Sequence, residues 1–146
     1  MTKTKLYLSC FCLLLPIWAG EDIIIQDFEG DKYGEWTAKG DAFGSSPAKG
    51  NIGSQQGVLG FKGKGLVNTY QNRDLSTGTL TSPLFEIKRK YITFLIGGGS
   101  SPKTALQLLI DDKVVLSRSG SQSEWLTPAI MDVSKLLGQK AQLRIV

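Results

Sequence analysis

The apolar residues of this chain occur in short runs that alternate with polar residues and end at turn-forming residues. In the run ALQLLI, for example, Leu106, Leu108 and Ile110 fall on one face of an extended strand. Between residues 22 and 146 almost nothing has the three-to-four-residue spacing of a helix. The pattern of about eight or nine short strands, with turns every 8 to 12 residues or so, predicts an all-β fold, an antiparallel two-sheet β-sandwich of jelly-roll type.

The strands can be placed from these runs. We predict strands at 23–28, 35–38, 65–70, 78–87, 91–96, 105–110, 114–117, 125–133 and 140–146, one helical turn at 134–137, and loop-like chain at 41–61. Pro83 interrupts the fourth strand, because proline cannot donate to a ladder. The run 91–96 is the most apolar and is expected to be the central buried strand. The sequence stops inside the alternating run 140–146, so we expect this strand's partner to lie beyond it and the sandwich to lack its last strand.

The first twenty residues have the build of a secretory signal peptide. Lys3 and Lys5 precede an apolar stretch at 6–15, and small residues follow up to Gly20. The stretch is too short for a membrane span. We therefore predict a signal peptide at 1–20, a β-sandwich domain at 21–146, and a secreted, periplasmic or cell-surface location in a bacterium, without a transmembrane segment. The two cysteines at 10 and 12 lie in the leader, so the mature domain must be stable without disulfides.

Composition narrows the chemistry. The chain has no histidine, which excludes a Ser-His-Asp triad, a Cys-His pair and a His-ligated metal. Removal of Lys3 and Lys5 with the leader lowers the formal net charge from +4 to +2, and the remaining basic residues are scattered, so nucleic acid is not an expected partner. An enzyme built on this chain would depend on carboxylates, lysine or tyrosine.

A group of acidic residues lies near the first predicted strand. Its members are Asp27, Glu29, Asp31 and Glu35. Paired carboxylates serve glycoside hydrolysis, and oxygen ligands also suit calcium. An ordinary turn at the end of a strand is the alternative. If a structural calcium ion is bound, we expect Glu29 and Asp132 to be among its ligands; no other cofactor is expected.

Aromatic residues are the second lead. Sugar-binding modules stack sugar rings on Trp and Tyr faces and bind the hydroxyls with amide and charged side chains. Trp36 and Trp125 are candidate platforms, with Asn68, Tyr70 and Arg73 as further carbohydrate-binding candidates. Core packing is the alternative for both tryptophans. We assign no catalytic residue.

Taken in order along the chain, several motifs resemble one known module. They are DFEGDKYGEW (27–36), GDAFG (40–44), GFKGKGLVN (60–68), STGTLTSP (76–83), FLIGGG (94–99) and DVS (132–134). The set is similar to the N-terminal β-sandwich module that precedes the catalytic domain in many bacterial glycoside hydrolase family 32 proteins, the levanases and other β-fructosidases.

The resemblance implies a non-catalytic accessory domain of a secreted fructan hydrolase. In that family a five-bladed propeller hydrolyses fructans with an aspartate nucleophile and a glutamate acid/base, and none of the propeller's Asn-Asp-Pro-Asn, Arg-Asp-Pro or Glu-Cys motifs occurs in this sequence. The expected partners are a fructan or the catalytic propeller of the same polypeptide. A free-standing, lectin-like carbohydrate-binding protein is the alternative, and an enzyme in its own right is a third reading.

Overall fold

The computed structural model describes residues 20–146, so all but the last residue of the leader predicted at 1–20 lies outside the described residues. Nine strands and one short 3-10 helix, Ser134–Leu136, account for the regular structure of this part of the chain. The strands are β1 Thr37–Gly40, β2 Gln71–Asp74, β3 Gly78–Thr81, β4 Phe85–Glu86, β5 Tyr91–Gly98, β6 Ala105–Ile110, β7 Lys113–Ser119, β8 Ser123–Asp132 and β9 Lys140–Ile145. The predicted all-β class is confirmed. Over residues 20–146, no helix is long and apolar enough to cross a bilayer.

The larger antiparallel sheet has six strands, of which five lie in the order β1-β3-β9-β6-β7 and the sixth, β4, pairs with β9. β4 follows β3 along the same edge of β9, with Phe85 opposite Ala141. The break between β3 and β4 falls at Pro83, as predicted. The Ser82 hydroxyl there accepts a 2.9 Å hydrogen bond from the Leu143 backbone N–H, so a side chain replaces a ladder acceptor where the strand bends.

The second sheet consists of β5 and β8, paired antiparallel from Tyr91 opposite Asp132 to Gly98 opposite Ser123, with an irregularity after Ile96. The inner-facing residues of this sheet and those of the larger sheet pack together in one apolar core. The buried members of this core are Tyr33, Trp36, Ala42, Phe43, Leu80, Ile87, Ile92, Leu108, Met131, Val133, Ala141 and Leu143. Leu106 and Ile110 pack against it beside Leu108, so the predicted inward face of β6 is confirmed.

Tyr33 ties the N-terminal segment to this core. Its hydroxyl donates a 2.6 Å hydrogen bond to the Phe43 carbonyl, and burial raises the pKa of the phenol above its ordinary value. Phe28 packs edge-on against the Tyr33 ring, with 6.1 Å between the ring centres. The segment is therefore held by side chains rather than by a ladder.

Two predicted strands in the first half of the chain are wrong. Residues 23–28 form no strand, and Ile23 and Ile24 are exposed. In 65–70, Leu66 alone makes an isolated bridge, to Ala48. β-Branched residues favour extended backbone, but a strand also needs a partner ladder, and the apolar runs do not show whether one exists.

Two further expectations about strand position are corrected. β5 is not a central strand, because β8 is its one neighbour in a two-stranded sheet and Tyr91 is 56% exposed. β9 has the opposite environment, with β3 and β4 on one side and β6 on the other. The strand predicted at 140–146 to lack its partner is thus an inner strand with neighbours on both edges.

Candidate functional site

A shallow polar cleft of about 280 Å³ lies between the loop after Gly50 and the start of β2. Its lining residues are Ile52, Gly53, Ser54, Tyr70, Gln71, Asn72 and Arg73. The volume is close to the lower end of small-molecule sites, about 300 to 1,000 Å³. The cleft therefore has the size for a small polar ligand such as one or two sugar rings.

Asn68 holds one wall of the cleft. The side chain is 6% exposed, and its amide nitrogen donates to the Gly50 carbonyl at 2.9 Å and to Gln55 Oε1 at 2.7 Å. Its amide oxygen accepts from the backbone N–H of Tyr70 at 3.1 Å. Both amide hydrogens are used within the protein, so Asn68 positions the loop against β2 instead of contacting a ligand.

Gln55 extends this hydrogen-bond network. Its Oε1 also accepts from the backbone N–H of Ile52, and its Nε2 donates to Glu124 Oε2 at 3.1 Å. The loop at 50–55 is thereby tied to β8 as well as to Asn68.

A tight turn shapes the other wall. The Leu75 backbone N–H donates to the Asn72 carbonyl at 3.2 Å, and the Asn72 backbone N–H donates to Ser76 Oγ at 2.7 Å. Arg73 sits inside this turn with φ of 54°, in the left-handed region. The turn places Arg73 on the same cleft as Tyr70, so the structure brings these two predicted binding residues together.

Trp125 lies on β8 and is 57% exposed. Leu59 pairs with this part of the strand in parallel: its backbone N–H donates to the Glu124 carbonyl, and its carbonyl accepts from Leu126. Gly60 lies under the indole, since a Cβ there would be 2.7 Å from Trp125 Nε1. Trp125 is not among the cleft's lining residues. It is an accessible ring, separate from the cleft lining.

Trp36 belongs to the core. It is 9% exposed and packs edge-on against Phe28, with 5.4 Å between the ring centres. It also lines an apolar groove of about 420 Å³, together with the exposed Ile24 and Leu84. At this burial Trp36 offers no open ring face for a sugar, and we leave it out of the candidate site.

Glu29 sits in a nest of backbone donors. The backbone N–H of Lys64 lies 2.9 and 2.8 Å from its two carboxylate oxygens, and the Gly65 N–H donates at 3.1 Å. Gly63 adopts φ of 76°, and a side chain at this position would overlap the carboxylate. The Lys-Gly-Lys-Gly stretch thus binds an anion, the protein's own Glu29, and fixes the 27–31 segment to the 62–65 loop.

We expect Glu29→Gln to lower the free energy of unfolding by about 1 kcal/mol, because the amide replaces a charged acceptor of three hydrogen bonds and turns an NH₂ group toward the donors. Thermal unfolding monitored by circular dichroism measures the change. Asp31→Asn, a carboxylate-to-amide change two residues away, is the matched control. Equal stability of both variants and the unmodified protein would show that the nest is not stabilising.

Asp132 lies at the end of β8 and accepts a hydrogen bond from Ser134, the first residue of the 3-10 helix. Hydrogen bonds from Ser134, through its side chain and its backbone N–H at 2.9 Å, hold the pKa of Asp132 below its ordinary value, and Lys135 and Lys90 act in the same direction. Over residues 20–146, no three His, Cys, Asp or Glu side chains cluster closely enough to bind a metal ion. The assignment of calcium to Glu29 and Asp132 stays a prediction, without a ligand cluster to support it.

The cleft also contains residues that the sequence did not single out. Ser54 lines the cleft and Gln55 holds the loop behind it, and both lie in a stretch predicted as loop, where no periodicity distinguishes one polar residue from another. Nothing in the sequence around a glutamine near a glycine-rich turn predicts a structural role for it. Its role depends on Asn68, thirteen residues away, which the fold brings within hydrogen-bond distance.

The chain is 42% identical over 130 residues to a protein of Aspergillus rugulosus named "Putative glycosyl hydrolase ecdE". The match covers 86% of this chain and 18% of the relative's length. No family model matches the chain, and no solved structure matches it significantly. The chain is therefore related to about a fifth of the length of the protein that carries this name.

Proposed function

We propose that this chain is the non-catalytic N-terminal β-sandwich module of a longer secreted glycoside hydrolase of the family 32 type, an enzyme acting on fructans. The relation to the Aspergillus protein carries the proposal, because the match spans 18% of the length of a protein named as a glycosyl hydrolase, which supports a role as one part of a longer enzyme. The sequence motifs that resemble the module preceding levanase and β-fructosidase propellers supply the family and the substrate class.

The acidic residues support a non-catalytic role. A retaining glycosidase needs two carboxyl groups about 5 to 5.5 Å apart, and an inverting one needs them about 6.5 to 9.5 Å apart, flanking a substrate site. The Glu29 carboxylate is held by backbone donors, and Asp132 accepts a hydrogen bond from the Ser134 backbone N–H. The lining of the polar cleft contains no carboxylate. The hydrolytic residues of such an enzyme would therefore belong to another part of the polypeptide.

In this proposal the module is exported with its enzyme and either binds glycan or braces the catalytic domain. A free-standing lectin-like protein is the second candidate, favoured by the exposed indole of Trp125 and by the polar cleft. The relative is a fungal protein, so a bacterial origin rests on the sequence motifs. The reading frame after codon 146 separates the two candidates, since a frame encoding the propeller motifs belongs to the enzyme.

The isolated chain should release no fructose from levan, inulin or sucrose, because the lining of its polar cleft contains no carboxylate pair. Reducing-sugar analysis after prolonged incubation measures this. A levanase treated in parallel shows that the assay detects hydrolysis. Turnover that persists through purification and is abolished by Asp27→Asn would contradict the proposal and make the chain an enzyme itself.

A further inference from the structure

The electrostatic character of the polar cleft differs from that expected for a neutral ligand. Arg73 is the one charged residue in its lining, and the other side chains are a phenol, two amides, a hydroxyl and an isoleucine. A guanidinium has five N–H donors and no acceptor. The cleft therefore presents positive charge and an excess of donors.

The backbone at Arg73 is a second, independent observation. With φ of 54°, this residue occupies a turn position that Gly, Asn and Asp adopt far more easily than a long side chain does. Of the other non-glycine residues with positive φ in the described part of the chain, Asp111 and Asp112 are of a type suited to a hairpin tip, whereas Phe28 and Gln122, like Arg73, are not. Residues with strained backbone conformations concentrate at ligand sites, where the strain positions a side chain for binding.

We propose that the cleft binds an anionic saccharide, one carrying a carboxylate or sulfate group. The oxyanion pairs with the Arg73 guanidinium, which matches a planar carboxylate with two parallel hydrogen bonds. The half-buried Tyr70 offers a ring face to the sugar, and the exposed amides of Gln71 and Asn72 reach its hydroxyls. This goes beyond the proposed function, since fructans are neutral: the module would hold its enzyme on an acidic matrix polymer rather than on the substrate.

The chemistry of hydroxyl recognition favours a charged ligand over a neutral one. Sugar hydroxyls donate as well as accept, and a carboxylate is the strongest acceptor a protein can offer them. The cleft supplies none, whereas it supplies a cation with no carboxylate among its lining partners. A long nucleic acid would need several cations along its path, and this cleft has one.

Trigalacturonic acid is a suitable probe, with its methyl ester as the neutral analogue that keeps the same rings. A sulfated carrageenan tetrasaccharide distinguishes sulfate from carboxylate as the anion. Binding of each to the full chain is measured by titration calorimetry at low and high salt. We expect one acidic probe to bind, its affinity to fall with salt, and the methyl ester to bind at least about tenfold more weakly, a difference of about 1.4 kcal/mol.

Variants of Arg73 connect the affinity to the cleft. Arg73→Asn should abolish the preference for the acidic probe while leaving the melting temperature unchanged or higher, because asparagine tolerates the left-handed conformation. Arg118→Gln removes the same charge from β7 and is the matched control, expected to bind as the unmodified chain does. Phosphate ions and a short single-stranded DNA test other anions.

Equal affinity for the ester and the acid would overturn the proposal, as would equal loss in the Arg73 and Arg118 variants, tighter binding of DNA than of either saccharide, or no binding by either acidic probe. Each of these results leaves the fructose-release assay and the downstream reading frame as they were. Failure of this inference is thus distinguishable from failure of the proposed function.

Discussion

Asn68→Ala should be among the most damaging single changes in the chain, lowering the free energy of unfolding by about 2 to 4 kcal/mol. The variant removes the side chain that joins Gly50, Gln55 and the Tyr70 backbone, and it takes a hydrogen-bond partner from the half-buried Gly50 carbonyl and from the Tyr70 N–H. Because domain stability is about 5 to 15 kcal/mol, the melting temperature should fall by roughly 10 °C. The 52–54 wall should also detach from β2 and the cleft should open.

Thermal unfolding measures the loss of stability, and backbone amide NMR shifts of residues 50–55 report the loop. Asn51→Ala is the matched control, since Asn51 is an exposed residue of the same loop. It should unfold like the unmodified chain. If the Asn68 and Asn51 variants are equally stable, the buried Asn68 amide does not hold the loop at 50–55 as we infer.

Gly40→Ala should separate β1 from the larger sheet at a cost of about 3 kcal/mol. Gly40 pairs with Gly78 at the end of the β1–β3 ladder and adopts φ of 81°. A Cβ at Gly40 would overlap the Thr77 carbonyl oxygen and lie 2.7 Å from the Gly78 Cα. Both obstacles are backbone atoms, which cannot turn aside as the end of a flexible side chain does.

Substitutions at two other glycines separate the cost of the left-handed backbone from the cost of the steric overlap. Gly138 has the same φ of 81° with nothing within 4 Å, so Gly138→Ala should cost only the left-handed strain, about 1 to 2 kcal/mol. Gly57 has neither the unusual φ nor a near neighbour, so Gly57→Ala should be nearly neutral. Melting temperatures should fall in the order Gly57, Gly138, Gly40. Equal melting temperatures for the Gly40 and Gly138 variants would show that β1 accommodates the added Cβ without a further loss of stability.

The second half of the fold was largely predictable from sequence. In β6 the spacing of Leu106, Leu108 and Ile110 predicted both the strand and its inner face, and β7 and β8 were placed by apolar runs that end at turn-forming residues. Acidic residues mark the hairpin tip at 111–112. The N-terminal segment lacks these properties. Ile23 and Ile24 have strand propensity but no ladder partner, and Tyr33 and Trp36 instead bury their rings among core residues from distant strands.

The candidate site shows the same division between local and long-range information. Tyr70 and Arg73 are three residues apart, so one turn brings them to one cleft, and the sequence identified both. Asn68 was identified too, but its role was not, because its partners at Gly50 and Gln55 depend on the path of a loop. Trp36 is buried in the core and Trp125 is exposed, and neither residue's neighbours in sequence reveal that difference.

The position of β9 determines the order in which this domain can form. β9 is the inner strand that joins β3 and β4 to β6, and its contact with Ser82 spans sixty-one residues. During synthesis from the N-terminus, β3 and β6 emerge long before the strand that lies between them. The nascent domain therefore carries two unpaired inner edges until residues 140–145 leave the ribosome, and its sheet closes in one late, slow step, with the open edges exposed to association until then.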